Sequence, residues 1–153
     1  MQNVIPFPNK PLVTTSGNSK NSKHIDMLAK IAAAVEPVAQ ARIAAAIFYK
    51  NNLISIGINQ KKTHPFQAQF GKNKDSIYLH AEIDAIKNAL KFISVDELSR
   101  CSLYICRVKY DGKEKTNIIY GLSKPCSGCS RAIVNFNIKK VIYSLDTEGY
   151  EML

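Results

Sequence analysis

Two short groups of residues in this chain have the types and spacing for metal chemistry. His80 and Glu82 stand two residues apart at the start of a helical pattern, and a Pro-Cys-Ser-Gly-Cys sequence at 125–129 opens a second helical run. Zinc accepts imidazole nitrogen and thiolate sulfur, and a catalytic zinc keeps three protein ligands and leaves its fourth position to water. His80, Cys126 and Cys129 supply that number, so they are the predicted ligands of one Zn²⁺ ion.

Glu82 is not needed as a fourth ligand, which leaves its carboxylate free to move protons. Zinc lowers the pKa of a bound water toward about 7. We predict that Glu82 takes a proton from this water as the hydroxide attacks a ring carbon. It then protonates the ring nitrogen and the departing amine, because one carboxylate close to water and substrate can make all three transfers. The products are a carbonyl compound and ammonia.

Each motif alone also occurs in proteins without this chemistry. A His-x-Glu pair is usually structural, and Cys-x-x-Cys is found in redox dithiols and in structural zinc sites. A structural zinc would need a fourth ligand from His24, His64 or Cys106, and none of these has motif spacing. A redox pair leaves His80 and Glu82 unexplained. The combined order H-x-E…P-C-x-x-C, with each part opening a helix, is typical of zinc-dependent deaminases.

The length, hydrophobic content and net charge of the chain limit the classes of protein to which it can belong. The chain has 153 residues, of which 46% are hydrophobic, and this predicts one domain with one core. No run approaches the roughly 20 apolar residues that span a bilayer, and the N-terminus has no signal-like apolar core. We therefore expect a cytoplasmic protein without a membrane partner. Cys101 and Cys106 are predicted to be buried apolar residues. The net charge of +9 favours anionic partners such as nucleotides or nucleic acid.

The pattern along the chain predicts an irregular N-terminal arm, 1–21, followed by a single domain, 22–153. Helices and strands alternate in that domain, which predicts an α/β fold of three layers, α/β/α, with a mixed sheet. The predicted elements are a helix 23–39 capped by Ser22, strands 42–49 and 53–58 joined by a turn at Asn51-Asn52, a polar loop 60–76, a helix 80–91, a turn or short helix 94–98, a hairpin of strands 103–110 and 116–120, a helix 126–136, a strand 140–145 and an acidic tail 146–153.

These motifs resemble the cytidine/deoxycytidylate deaminase superfamily, which also includes tRNA adenosine deaminases. The resemblance extends over about 43–145 and rests on the segments 44–47, 55–59, 80–82, 125–129 and 140–143. It implies a cytidine deaminase-like fold, zinc on His80, Cys126 and Cys129, and proton transfer by Glu82. It also implies that Asn59 contacts the sugar or base and that the Ala81 backbone holds the base edge.

The chain departs from that family pattern in two places. An extra hairpin, about 109–122, precedes the cysteine motif, and the final helix and strand common in relatives look absent after 140–145. The long loop before His80 is similar to an insertion in deoxycytidylate deaminases. Its lysines Lys61, Lys62, Lys72 and Lys74 are predicted either to meet a 5′-phosphate or to remain solvated. Because relatives are usually dimers or larger, we expect a homo-oligomer.

Three functions stay open at this point. The first is a hydrolytic deaminase of a free pyrimidine nucleotide or nucleoside, with dCMP or cytidine as substrate. The second is a cytosine or adenine deaminase acting on RNA or single-stranded DNA, suggested by the net charge, the basic hairpin and the aromatic residues Phe66, Phe70, Tyr110 and Tyr120. The third is a binding module that keeps zinc only for structure.

Overall fold

The computed structural model describes residues 19–38, 41–70, 78–111, 117–146 and 149–153. The helices are α1 (Lys20–Ala33), α2 (Pro65–Phe70), α3 (Ala81–Ala89), α4 (Val95–Leu98) and α5 (Ser127–Asn135). The strands are β1 (Arg42–Tyr49), β2 (Asn52–Ile58), β3 (Gln60–Thr63), β4 (Tyr78–Leu79), β5 (Ser102–Asp111), β6 (Asn117–Gly121), β7 (Lys140–Ser144) and β8 (Tyr150–Met152).

The main sheet has the strand order β2-β1-β5-β7-β8, with β6 also paired to β5. Strand β1 lies antiparallel to β2 and to β5, whereas β5 and β7 are parallel. Strands β3 and β4 form a small separate sheet. The sheet is therefore mixed, as the sequence predicts.

Helices cover both faces of the main sheet. Ala44 and Ala46 of β1 belong to the core cluster that contains buried residues of α1. Ala45 and Ile47, which point to the other face of the same strand, belong to the cluster that contains buried residues of α3 and α5. The predicted three-layer α/β/α arrangement is thus confirmed. No helix within the described residues is long and apolar enough to cross a membrane.

Helix α3 lies directly on the backbone of β2. A Cβ atom at Gly57 would come within 2.2 Å of Ala85 N and 2.3 Å of Ala81 O, so only glycine fits there. The Ser55 hydroxyl donates to Ala85 O at 2.7 Å, and Asn88 Nδ2 donates to the β2 backbone at 2.9 Å. Helix and strand are therefore held at a separation that no side chain at position 57 permits.

Strand β5 is shared between two neighbours along one edge, with β7 beside its first half and β6 beside its second half. Two buried serines satisfy the backbone where these neighbours diverge. Ser144 Oγ accepts from Arg107 N at 3.0 Å and donates to Gly121 O at 2.7 Å, and Ser123 Oγ donates to Ile105 O at 3.0 Å and accepts from Ser144 N at 2.8 Å. These bonds replace the strand-to-strand backbone hydrogen bonds that are missing where β6 and β7 diverge along β5.

The sequence predicts the β5–β6 hairpin and the strand at 140–145, and both are confirmed. The first helix differs from the prediction at both ends, because it begins at Lys20 and ends at Ala33. Ser19, not Ser22, is the capping residue: Ser19 Oγ accepts from Ser22 N at 3.0 Å, while Ser22 itself is buried. Of the predicted arm, residues 1–18 lie outside the described part of the chain.

Two further predictions about local structure were wrong. The β1–β2 turn is formed by Lys50 and Asn51, with Lys50 at φ 55°, and Asn52 already pairs with Tyr49. Part of the predicted polar loop 60–76 forms β3 and α2. The helix α2 starts with proline, which suits a first helical position, and its Phe66 and Phe70 pack on Phe136.

The predicted acidic tail also forms structure. Strand β8 pairs antiparallel with β7, and Tyr143 OH donates to Glu151 Oε2 at 2.7 Å. The expectation that no strand follows 140–145 was therefore wrong. Alternating Tyr150 and Met152 is too short a pattern to predict a strand without its partner.

The close contact between α3 and the backbone of β2 predicts that Gly57→Ala strongly lowers the stability of the fold. The new methyl group meets helix backbone, which cannot rotate away, so we expect a loss of unfolding free energy of about 3 kcal/mol. Urea denaturation followed by circular dichroism measures it. Gly121→Ala is the matched control, because its Cβ meets the flexible stem of Arg107 at 3.1 Å and should cost much less. Equal midpoints for the Gly57 variant and the parent would contradict the close helix–strand contact.

Candidate functional site

The three residues predicted as metal ligands come together at the starts of two helices. His80 is the N-cap residue of α3, Cys126 is the N-cap residue of α5, and Cys129 lies in the first turn of α5. His80 Nδ1 is 3.6 Å from Cys126 Sγ and 3.3 Å from Cys129 Sγ, and all three donor atoms lie within 4.8 Å of one another. Nitrogen and sulfur bound tetrahedrally to zinc are about 3.6 Å apart. The donor set therefore fits a zinc ion.

His80 is held in place by a residue that the sequence did not single out. Gln67 is buried in α2, and its Oε1 accepts from His80 N at 3.0 Å. The side chain of His80 makes no capping bond to α3, unlike the serine or aspartate usual at this position. Gln67 thus satisfies the His80 backbone, while the imidazole is left to face the two sulfurs.

The thiols of Cys126 and Cys129 have pKa values shifted in opposite directions. Hydrogen bonds from the Cys129 side chain and from His80 hold the pKa of Cys126 well below its usual range. The pKa of Cys129 is raised, first by its hydrogen bond to Cys126 and then by burial. A hydrogen bond to Cys126 also raises the pKa of His80, although burial opposes it. Metal binding at this site must therefore displace protons.

Glu82 stands in the first turn of α3, close to the cysteines and the histidine. Its side chain is buried, and the residue is 6% exposed. Burial raises its pKa, while a hydrogen bond from its own backbone N–H and the charge of His80 act in the opposite direction. A carboxyl group with a raised pKa in a cavity has the properties of a proton-transfer group.

A cavity of about 410 Å³ opens onto this arrangement. Small-molecule pockets usually enclose roughly 300–1,000 Å³. His80, Glu82 and Cys126 line it together with Asn59. The remaining lining residues are Val38, Ala41, Ile43, Tyr78, Leu79, Arg107, Leu122, Ser123 and Lys124. The cavity therefore joins two of the three candidate ligands, His80 and Cys126, and the carboxyl group in one space sized for a small ligand, with Cys129 buried behind them.

Asn59 lies in this cavity with part of its hydrogen-bonding capacity already used. Its Oδ1 accepts from Ile43 N at 2.9 Å, and its Nδ2 donates to Ala41 O at 2.9 Å. One lone pair and one amide hydrogen are left for a ligand. Ala81 is fully buried, with its carbonyl oxygen against Gly57. The substrate contacts predicted for Asn59 and Ala81 stay predictions.

Lys61 and Lys62 lie outside the site cavity. Both are exposed on β3, and they line a neighbouring depression of about 330 Å³ that shares Asn59 with the site cavity. Lys72 and Lys74 are outside the described residues. A substrate role for Lys61 and Lys62 stays a prediction.

The cavity instead contains two cations that the sequence patterns did not indicate, Arg107 and Lys124. Lys124 stands two residues before Cys126, so its nearness to the metal motif was readable. Arg107 is a charged residue inside the apolar strand 103–110, which was a weaker signal.

The aromatic residues considered for stacking on nucleic acid have other partners. Phe66 and Phe70 pack in a phenylalanine cluster, and Tyr120 OH donates to Asp26 Oδ1 at 2.6 Å. The guanidinium of Arg42 lies 5.0 Å from the centre of the Tyr110 ring. All four aromatic residues belong to the described part of the chain, and they lie outside the lining of the site cavity.

Comparison with known proteins supports the same interpretation. The model of the family described as cytidine and deoxycytidylate deaminase zinc-binding region matches residues 18–145, so the chain belongs to this family. Among solved structures, the dCMP deaminase of the cyanophage S-TIM5 in its apo form is similar in fold. Its TM-score is 0.50 at 19% identity, over 80% of this chain and 78% of that chain. A search of curated proteins finds no match.

Membership of this family makes the chain a hydrolytic deaminase that uses zinc. The predicted cofactor, Zn²⁺, agrees with the family and with the candidate His-Cys-Cys site. The alternative of a non-catalytic binding module is therefore wrong.

The geometry of the triad predicts which substitutions remove zinc. We expect about one zinc per chain, measured by plasma mass spectrometry, and its loss in His80→Ala, Cys126→Ser and Cys129→Ser because a site with two ligands binds zinc far more weakly. Cys106→Ala is the matched control, since this buried cysteine lies in β5 outside the triad. Full zinc content in any of the three variants would remove that residue from the ligand set.

Proposed function

We propose that the chain is a hydrolytic deaminase of a free pyrimidine nucleotide or nucleoside, with dCMP as the first substrate to test. The observation that carries the proposal is that His80, Cys126 and the buried Glu82 line one cavity of about 410 Å³, while the Cys129 donor atom lies within 4.8 Å of those of His80 and Cys126. The similar solved structure is a dCMP deaminase, which supports trying this substrate first.

In this proposal His80 Nδ1, Cys126 Sγ and Cys129 Sγ hold the zinc ion. A bound zinc ion makes water acidic enough to act as a nucleophile near neutral pH. The Glu82 carboxylate takes a proton from the attacking water and gives it to the ring nitrogen next to the amino-bearing carbon. The buried position of Glu82 keeps this carboxyl basic enough to accept the proton and close enough to return it.

The second half of the reaction uses the same carboxylate. Glu82 takes the remaining proton of the added hydroxyl group and transfers it to the amino group, which leaves as ammonia. The carbon–nitrogen bond breaks, a carbonyl group forms, and Glu82 returns to its starting state. One water is consumed for each ammonia released, so the atoms and charges balance. The free hydrogen-bonding positions of Asn59 are suited to orient the sugar or base during these steps.

A free substrate is favoured over a base within RNA or single-stranded DNA. The four aromatic residues considered for base stacking lie outside the cavity, and Lys109 of the basic hairpin is paired with Asp146 at 2.7 Å. Polymer binding usually combines stacking aromatics with a basic groove. The net charge of +9 alone does not supply that combination.

We also propose that the chain forms a homo-oligomer, that residues 22–153 are one domain and that the protein works in the cytoplasm. Large apolar side chains are exposed at the β1–β2 turn and around α4, including Leu53, Phe92 and Val95. Exposed large apolar side chains are candidates for an association surface, which supports the oligomer.

The proposed substrate class predicts the result of a substrate panel. Zinc-loaded protein should release ammonia from dCMP or another cytosine nucleotide or nucleoside, and not from adenosine or guanine. The measurement is coupled ammonia detection with dCMP, dCTP, cytidine, cytosine, adenosine and guanine. Failure with every free compound, together with turnover of a cytosine-containing oligonucleotide, would replace this proposal with the polymer alternative.

The role of Glu82 predicts a selective loss of turnover. Glu82→Gln should lower kcat by about 10²–10⁴-fold, because the amide cannot accept the proton. Zinc content and the unfolding midpoint should stay near those of the parent, since Glu82 is not a ligand and the replacement has the same shape. Glu36→Gln is the matched control, because Glu36 is exposed and does not line the site cavity. Unchanged kcat in the Glu82 variant would overturn the mechanism.

A further inference from the structure

We propose that Arg107 and Lys124 form a subsite for the 5′-phosphate of the substrate at one end of the site cavity. The proposal rests on the proposed function and narrows it to phosphorylated pyrimidine nucleotides. Both residues line the cavity that contains His80 and Glu82.

Arg107 is fixed in position, yet part of its guanidinium has no partner within the described residues. Its backbone N–H is held by Ser144 Oγ at 3.0 Å, and its stem lies on Gly121 of the neighbouring strand, where a Cβ would come within 3.1 Å of Cγ and Cδ. Its Nε is buried without a hydrogen-bond partner in the same part of the chain. A buried donor without a partner costs free energy. An anionic ligand in the cavity would remove that cost.

Asp146, an acidic residue near Arg107, already has other hydrogen-bond partners. Asp146 Oδ1 accepts from Lys109 Nζ at 2.7 Å and from Leu122 N at 3.0 Å. The pKa of Asp146 is lowered chiefly by the bond from Lys109, with a smaller contribution from the charge of Arg107. Lys109 therefore neutralises Asp146 at the surface, and the charge of Arg107 remains available to the cavity.

Lys124 brings a second cation to the same space. It is exposed, lines the cavity and makes no ion pair within the described part of the chain. The preceding residue, Ser123, is anchored in the sheet by hydrogen bonds of 3.0 Å to Ile105 O and 2.9 Å to Ser144 O. Because Lys124 follows this anchor directly and precedes Cys126 by two residues, its backbone lies at most about 8 Å from that of the ligand cysteine.

The charge balance of the cavity favours an anion. Glu82 is the acidic residue among the cavity-lining residues, against Arg107 and Lys124. Arginine binds phosphate through two parallel hydrogen bonds, whereas lysine acts as a point charge. The pyrimidine ring would lie at the His80 and Glu82 end, and the phosphate would lie between the two cations.

Both cations flank the extra hairpin, about 109–122, that departs from the family pattern. Arg107 lies where β5 enters the extra hairpin, and Lys124 lies where the chain leaves β6 for the cysteine motif. The hairpin thus delivers one cation on each of its two ends. Lys61 and Lys62, predicted from the sequence to meet the phosphate, line the neighbouring depression instead and are the competing candidates.

The test compares phosphorylated and unphosphorylated substrates on zinc-loaded protein. Arg107→Gln and Lys124→Gln should each lower kcat/KM for dCMP about 10- to 100-fold, the usual range for one charge-assisted contact, and leave kcat/KM for deoxycytidine nearly unchanged. Lys61→Gln and Lys62→Gln should change neither value. Lys91→Gln is the charge-matched control, because Lys91 is exposed and does not line this cavity.

A binding measurement supplies a readout that is independent of turnover. Calorimetric titration with the product dUMP should show a weaker Kd in the Arg107 and Lys124 variants by the same factor, and deoxyuridine should bind all variants equally. A cytosine-containing oligonucleotide serves as the third ligand, because its phosphodiesters offer the same chemistry. Selective loss of oligonucleotide binding, with dUMP binding retained, would overturn the proposal in favour of a polymer backbone contact.

The outcomes separate this proposal from the function on which it rests. If no cytosine compound is deaminated, the proposed function fails. If dCMP and deoxycytidine are both deaminated but the two variants affect them equally, or if Lys61 and Lys62 carry the phosphate preference, the phosphate subsite fails and the deaminase function stands.

Discussion

The site depends on the contact between α3 and β2. A helix can approach a strand this closely only where the strand carries no side chain, and Gly57 provides that place. Three side-chain hydrogen bonds then fix the helix along the strand: Ser55 and Asn88 each donate one, and Asp84 accepts one from Ile58 N. Since His80 and Glu82 lie at the start of α3, the position of one glycine in the sheet determines where an imidazole and a carboxyl group lie.

The cysteines are positioned differently, by the point in the sheet where β6 and β7 diverge along β5. Strand β5 is long enough to pair with β7 in its first half and with β6 in its second half. Ser123 and Ser144 satisfy the backbone at the divergence, and the chain then runs from Ser123 through Pro125 into the first cysteine. His80 and the two cysteines thus come together from different parts of the sheet. All four cysteines lie in the described part of the chain and are free thiols, so no disulfide holds the cysteines of the site in place.

The sequence indicated the candidate ligands and the candidate proton-transfer group better than it indicated the residues that hold them in position. The residue types at 80, 82, 126 and 129 carry their own signal, because few arrangements other than a metal site use them in that order. Gln67 has no such signal: a glutamine in a polar stretch becomes a support only when α2 packs beside α3. Gly57 was readable as a glycine inside a strand pattern. What it contacts depends on a helix about 25 residues further along the chain, and no local rule supplies that partner.

The cations of the cavity were harder to predict for a related reason. Lys61 and Lys62 stand near the motif in sequence and in a basic stretch, so proximity favoured them. In the structure both lysines of β3 line the neighbouring depression, which shares Asn59 with the site cavity. Arg107 lies on β5 and lines the cavity together with residues of β1 and of the start of α3, so its place there depends on how distant parts of the chain pack.

Several local rules of stability are broken by residues that line the site cavity. His80 begins a helix without capping it, the Nε of Arg107 is buried without a partner among the described residues, and Glu82 is a buried carboxyl group. By contrast, α4 begins with a complete capping box between Ser94 and Glu97. These three features belong to residues of one cavity, as expected where stability is given up for binding and catalysis, although buried polar atoms without a partner in the described part of the chain also occur at Ser22, His24 and Arg42 outside it. The proposed ligands would offset each cost: a metal ion for the imidazole, an anion for the guanidinium, and the proton that the proposed mechanism places on the Glu82 carboxylate.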